Sequence, residues 1–126
     1  MKYIFGFLVL CSASFVSASE LPTKEMIVSI NDVYIPGGFS SESDAYVVVN
    51  GTFPNSCYRS AGAKVEHITS NVHEIASVAS VTQGMCLMVM VPWNKEVRLG
   101  QLDQGSHTLR FRNGDGTYFE RTLEIE

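Results

Sequence analysis

Methionine and histidine are the residues of this chain whose side chains could bind a metal. The set consists of three closely spaced methionines and three histidines: Met85, Met88, Met90, His67, His73 and His107. Thioether and imidazole groups are ligands that copper accepts, so a copper site built from Met88, Met90 and His67 is one interpretation. No two histidines stand at the spacing of metal ligands, and methionine commonly fills hydrophobic cores. We therefore predict core methionines, no metal and no cofactor.

Catalytic groups are not arranged as an enzyme needs them. No serine lies in a nucleophile-elbow setting, and the acidic residues are scattered rather than paired. Glu66 adjoins His67 and Glu74 adjoins His73. Neighbouring residues on a strand point to opposite faces, so neither pair is expected to act as a dyad. We predict that the protein is not an enzyme, with an unrecognised hydrolase as an alternative.

Residues 1–18 have the pattern of an export signal. Lys2 supplies a positive start, residues 3–10 are apolar, and Val16–Ala18 form a small-residue cleavage site. The apolar run is shorter than the roughly 20 residues that a transmembrane helix needs. We predict cleavage before Ser19 and soluble export to the periplasm or the exterior, with no membrane insertion afterwards.

Cysteine chemistry depends on this export. Cleavage removes Cys11 and leaves Cys57 and Cys86 in a compartment where thiols oxidise. We expect one disulfide between them, stabilising the fold by roughly 3 to 4 kcal/mol. Lipidation of Cys11 is an alternative, but Leu10 is bulky where a lipoprotein signal needs a small residue.

Chain length and charge limit the classes of partner. Without the signal about 108 residues remain, the size of a single domain. We divide the chain into a signal peptide (1–18), a flexible lead (19–25) and one domain (26–126). Without Lys2, eight basic residues stand against thirteen acidic ones, a net charge of −5, and no basic run is present. Nucleic acid and anionic membrane surfaces are therefore disfavoured.

Short apolar and β-branched segments separated by turn residues recur along the domain, and no helical period persists. The pattern predicts an all-β fold, an antiparallel two-sheet sandwich. The predicted strands cover residues 26–35, 45–53, 64–69, 73–82, 85–91, 96–99, 108–112 and 117–126. A helix over 73–82 is an alternative, but Val72, Val78, Val81 and several small polar residues favour a strand. The Asn113–Gly116 segment is the strongest hairpin signal. Five residues of the last two strands are predicted to point inward: Leu109, Phe111, Phe119, Leu123 and Ile125.

The segment Leu102–His107 resembles the Greek-key corner of immunoglobulin-like and fibronectin type III domains. In those domains a tyrosine bonds back to nearby backbone, and His107 stands in its place. Together with Gly51–Cys57 and the second cysteine, Cys86, the chain is similar to small exported bacterial immunoglobulin-like domains. It differs from antibody domains because Trp93 follows the cysteines. The resemblance implies an Ig-like Greek-key sandwich with one disulfide, and no functional residue.

Successive turns of an antiparallel sandwich fall at opposite ends, so counting strands sorts the loops. The count assigns to one end residues 36–43, 69–72, 92–95 and 113–116, and to the other the Pro54 turn, residues 83–84 and the Leu102 corner. Aromatic residues on loops at the first end are suited to act as contact anchors. We therefore predict an interaction pole formed by Phe39, Trp93, Asn94 and Tyr118.

Two predicted strands, 45–53 and 85–91, are apolar on both faces. A sandwich strand normally alternates because one face meets water. The second face must be covered, either within the chain or by a protein partner or second copy. The sequence thus predicts an exported, non-enzymatic binding or structural module that recognises another envelope or secreted protein, or itself.

Overall fold

Strands and loops account for all of residues 21–126, which a computed structural model describes together with residues 6 and 12. The predicted export signal, its cleavage site and Cys11 otherwise lie outside the described residues. The strands are β1 (Thr23–Val28), β2 (Asp32–Tyr34), β3 (Ala45–Phe53), β4 (Tyr58–His67), β5 (Val72–Thr82), β6 (Val91–Gly100), β7 (Gly105–Arg112) and β8 (Tyr118–Ile125). In this part of the chain no helix is long and apolar enough to cross a membrane.

Strand β5 is the centre of the larger, five-stranded sheet. One of its edges pairs with β4, and the other pairs with β7 along Val72–Ala76 and with β1 along Ser77–Thr82. β8 extends this sheet beyond β7, while β2, β3 and β6 form the second sheet. The predicted all-β, two-sheet sandwich is confirmed. One pair, β5 with β7, is parallel, because the chain visits the second sheet as β6 between them.

Alternating side chains of both sheets form the core between them. β3 buries every second residue along its length, and β7 buries Leu109 and Phe111. Leu123 and Ile125 of β8 are also buried, and Phe119 packs against the same cluster. The inward orientation predicted for these five residues is confirmed.

The predicted strand 26–35 is two strands in different sheets. β1 ends at Val28 in the larger sheet, and β2 begins at Asp32 in the smaller one. Between them the Asn31 N–H donates to the Asn50 carbonyl at 2.7 Å, which aligns β2 with β3. The β-branched pattern continues through this crossover, so it could not reveal the change of sheet.

The predicted boundary between a flexible lead and the domain at residue 26 is wrong. Thr23–Glu25 already belong to β1 and pair with Ser80–Thr82. The Gln83 N–H extends this pairing by donating to the Pro22 carbonyl at 2.9 Å.

The predicted strand 85–91 is also wrong, because Met85–Met90 is a loop between β5 and β6. β6 begins at Val91, which pairs with Phe53, the last residue of β3. The next residue on the partner side is Pro54, which has no N–H to donate to a ladder. Pro92, predicted to end a strand, lies inside β6, where an edge position tolerates it.

The predicted Cys57–Cys86 disulfide is confirmed, with the two Cα atoms 5.4 Å apart. Cys57 is buried directly before β4, whereas Cys86 lies in the loop. The bond therefore ties the loop to the beginning of β4.

Replacing both cysteines by serine is expected to lower the free energy of unfolding by roughly 3 kcal/mol, because the cross-link restricts the unfolded chain across a separation of 29 residues. Urea denaturation measures the loss. Reducing the wild type should reproduce it, and the reductant should leave the double variant unaffected. Equal stability of oxidised wild type and variant would contradict this account.

Candidate functional site

The four residues of the predicted interaction pole do not share one end of the sandwich. The Phe39 carbonyl accepts from the Glu126 N–H at 2.8 Å, and the Phe39 ring meets Tyr46 near the start of β3. Trp93 instead pairs with Gly51 near the end of β3. The prediction assigned loops to the two ends of the sandwich by counting strands. Because Met85–Met90 is not a strand, that count was one strand too high from this point onward.

The remaining two members of that set lie elsewhere as well. Asn94 lies in β6 opposite Asn50, in the smaller sheet. Tyr118 begins β8 in the larger sheet, where the Arg110 guanidinium lies 4.2 Å from its ring centroid.

The Leu102 corner and the Asn113–Gly116 hairpin each lie at the end of the sandwich opposite to the predicted one. The Leu102 corner shares a surface cavity with Thr69 and Ser70, so it lies with the β4–β5 turn. The Asn113–Gly116 hairpin lies at the other end, where Gly114 and Pro54 line one cavity. The same one-strand error explains both differences.

Trp93 is half-buried and packs against the hydrophobic core. Its ring stacks on Phe53 with centroids 5.4 Å apart. It also fills the space beside Gly51, where a Cβ atom would come within 2.7 Å of the indole. A glycine is therefore required opposite this tryptophan.

Three strands bring the three histidines into one line of hydrogen bonds. His67 of β4 and His73 of β5 are cross-strand partners, and their Nδ1 atoms lie 2.6 Å apart. His73 Nε2 lies 2.8 Å from Nδ1 of His107 in β7, and His107 Nε2 lies 2.6 Å from the Asp103 carbonyl oxygen. Sequence spacing missed this cluster because strand register, not spacing, brings the rings together.

The direction of these bonds follows from the carbonyl at the inner end. A carbonyl only accepts, so His107 Nε2 must carry the proton and its Nδ1 must accept from His73 Nε2. His73 Nδ1 then accepts from the Nδ1–H of His67. The outer nitrogen of exposed His67, Nε2, lies at the solvent end of this line.

Burial keeps the middle of this line uncharged. His73 is 1% exposed and His107 is 2% exposed. Desolvation, followed by repulsion from His67 and then His107, lowers the pKa of His73 from 6.5 to about 4. His73 is therefore neutral at physiological pH.

His107 has the corner role that the resemblance implied. Its Nε2–H donates to the backbone carbonyl of Asp103, four residues upstream. The imidazole thus closes the corner as a tyrosine hydroxyl does in immunoglobulin-like domains. Buried Leu102 packs beneath the same corner in the core cluster.

The alternative metal site of Met88, Met90 and His67 is contradicted. Met88 and Met90 follow Cys86, which is tied to the start of β4, whereas His67 ends that ten-residue strand. At 3.3 Å per residue, the two places are about 30 Å apart. Within residues 21–126, moreover, no three His, Cys, Asp or Glu side chains are arranged to hold a metal ion.

The loop Met85–Met90 is the largest exposed apolar feature of the described residues. Its five large apolar side chains have high exposed fractions: Met85 104%, Leu87 70%, Met88 84%, Val89 51% and Met90 75%. The prediction that these methionines fill the core is wrong. The rest of the described chain does not cover this segment, because its large apolar side chains face solvent.

The backbone of this loop is held at two adjacent residues. Cys86 is bonded to Cys57, and the Leu87 N–H donates to Ser56 Oγ at 2.8 Å. The Ser56 N–H in turn donates to the Leu87 carbonyl at 3.0 Å. The loop therefore presents its apolar side chains from an anchored backbone.

The other strand predicted to be apolar on both faces, β3, is covered differently. Its outward residues are half-buried rather than exposed. Phe39 packs edge-on against Tyr46, and Asn31 Nδ2 donates to Thr52 Oγ1 at 3.1 Å. The chain itself thus shields part of this face.

Residues 47–125 match the family described as the ORF11 beta-sandwich domain. The chain belongs to this family. The matched span contains the disulfide, all three histidines and the exposed loop, so each of these features lies in the ORF11 domain. No curated protein and no solved structure matches the chain.

Trp93→Ala in this ORF11 domain is expected to lower the free energy of unfolding by about 3 kcal/mol, because it leaves a cavity beside Phe53 and Gly51. Urea denaturation tests this. Tyr34→Ala is the matched control, since Tyr34 is 65% exposed and its loss should cost about 0.5 kcal/mol or less. Equal losses of stability in the two variants would show that Trp93 does not contribute to the core packing.

Stability of the ORF11 domain should fall as pH drops from 6.5 towards 4, because the unfolded chain binds a proton at His73 that the folded chain refuses. Between pH 7 and pH 4.5 the contribution of His73 amounts to roughly 2 to 3 kcal/mol. Urea denaturation at both pH values measures it.

His73→Gln is the control for this pH dependence. Glutamine does not titrate, yet its amide can donate to His107 and accept from His67. The variant should lose less stability on acidification than the wild type. The same loss in both proteins would show that other groups cause the acid response.

Proposed function

We propose that this ORF11 domain is an exported, non-enzymatic module that binds another envelope or secreted protein or a second copy of itself. The observation that carries the proposal is the exposed loop Met85–Met90, which is anchored by the disulfide and by Ser56. Exposed apolar patches mark interaction sites in soluble proteins. Methionine is favoured on such surfaces because its flexible side chain adapts to different partners.

The physical driving force is the removal of these side chains from water. Burying one aliphatic or methionine side chain completely is worth about 1.5 to 3 kcal/mol. Binding also costs the ordering of mobile segments, and a loop held at Cys86 and Leu87 has less freedom to lose. The anchored backbone therefore favours affinity.

Export is supported by the disulfide and by the signal-like residues 1–18. Disulfides persist in oxidising compartments and are rare in the cytosol. An immunoglobulin-like type of sandwich in a bacterial protein is part of the same proposal, and the His107 corner supports the immunoglobulin-like type.

A binding role rather than catalysis is supported by the chemistry of the histidines. Their line of hydrogen bonds ends on the Asp103 carbonyl, a group that cannot act as a nucleophile. Two of the three rings are buried, which suits a structural role. Net negative charge continues to disfavour nucleic acid as the partner.

The Met88→Lys/Met90→Lys double variant should lose protein cross-links formed in the producing cells by about tenfold, because two charges would have to be desolvated in the contact. Its melting temperature should stay unchanged, since both side chains face solvent. Quantitative mass spectrometry of cross-linked complexes provides the measurement.

Tyr34→Lys/Tyr118→Lys is the matched control, because these residues are large, aromatic and exposed and lie on β2 and β8 rather than on the loop. This variant should retain the cross-links of the wild type. Undiminished cross-linking by the loop variant would refute the loop as the contact surface.

A further inference from the structure

Exposed sheet edges invite other strands to pair, and most edges of this sandwich carry a feature that prevents it. β2 is only three residues long. β4 has a register shift between Ser60 and Ala63, with Gly62 at a φ of 99°. β8 carries the charged residues Glu120, Arg121 and Glu124.

The edge formed by β6 is protected from Pro92 onward. Its second half carries the exposed charges Lys95, Glu96 and Arg98. From Gln83 to Asn94 the chain has no charged residue. Upstream of Pro92, the loop Met85–Met90 and Val91 thus form a continuous apolar edge without these devices.

The backbone of this segment favours a strand over lipid as its partner. Leu87 directs both its N–H and its carbonyl to Ser56. Successive residues of an extended chain direct these groups to opposite sides, so in an extended segment those of Met88 would point away from Ser56. In lipid such groups would stay unsatisfied at a cost of several kcal/mol, whereas a paired strand satisfies them.

The side-chain pattern is symmetric about Val89. Met88 and Met90 flank it, followed by Leu87 on one side and Val91 on the other. An antiparallel pair related by a two-fold axis at Val89 would oppose Met88 to Met90 and Leu87 to Val91. The first charged residue, Lys95, would then lie opposite neutral Gln83, so no like charges meet.

We propose that a second copy of this chain pairs with the segment Leu87–Val91, antiparallel and about a two-fold axis at Val89. The inference rests on the proposed function, because it names the partner of the same loop. Two-fold dimers are the commonest closed assemblies, and a self-complementary edge is what they require. The pairing extends the β6 edge of one copy into that of the other.

Analytical ultracentrifugation of the purified protein should detect a concentration-dependent dimer. Met88→Lys/Met90→Lys should weaken it by about tenfold or more, because the introduced ammonium groups of one copy would face those of the other. Tyr34→Lys/Tyr118→Lys, which adds the same two charges outside the loop, should dimerise like the wild type. A wild type that remains monomeric, or equal effects of the two variants, would overturn the proposal.

Charge exchange gives an independent test of the pairing. The Met88→Glu/Met90→Glu variant alone should also be monomeric, but mixed with the lysine variant it should form a heterodimer held by opposed charges. A mixture that stays monomeric would speak against direct opposition of these residues.

A cysteine at the axis tests the register. Val89→Cys should form a covalent dimer under mild oxidation, because non-hydrogen-bonded partners lie about 4.5 Å apart at Cα, within reach of a disulfide. Thr122→Cys on exposed β8 is the control. Cross-linking no greater than in this control would exclude the proposed axis.

The two proposals can fail separately. A monomeric wild type that keeps loop-dependent cross-links to other proteins would remove the second copy and leave the binding function in place. A lysine variant that keeps both the dimer and the cross-links of the wild type would contradict both proposals.

Discussion

The end of the β3–β6 ladder is the constraint on which the functional features of this protein depend. Hydrogen bonding stops at the Phe53–Val91 pair because Pro54 offers no donor. Apolar residues that would otherwise be paired in a sheet are left in a loop. The disulfide and the Ser56 contacts then hold this loop close to the sheet. An edge that is both apolar and anchored is the physical basis of the binding role proposed for this ORF11 domain.

The opposite end of the sandwich is organised by polar rather than apolar contacts. A line of three imidazoles runs from exposed His67 to the buried corner at Asp103. Burial and the neighbouring histidines lower the pKa of His73, in the middle of this line, to about 4, so the stability of this end is linked to pH. The two ends therefore have separate tasks, with a neutral polar network closing one and a covalent bond holding the other.

The local sequence pattern predicted the strands correctly where alternation of apolar and polar residues alone sets their bounds or their inward faces. β3 was predicted with its observed bounds, and the inward faces of β7 and β8 follow from simple alternation. The disulfide followed from cysteine number and compartment, and the corner at His107 from a resemblance. The predicted path of the chain was wrong where it depended on strand pairing. The crossover at Asn31 leaves no sign in the hydrophobic pattern. Counting Met85–Met90 as a strand assigned the later loops to the wrong ends of the sandwich.

The sequence by itself determined the fold class, the core periodicity and the covalent link, because side-chain alternation and cysteine chemistry are local properties. Only the tertiary structure decided the fate of Met85–Met90, since an apolar segment becomes a strand only beside a partner that can donate and accept hydrogen bonds. It also decided the meeting of His67, His73 and His107. Strand register across β4, β5 and β7 places these rings side by side, and register is set by long-range pairing that no spacing along the chain records.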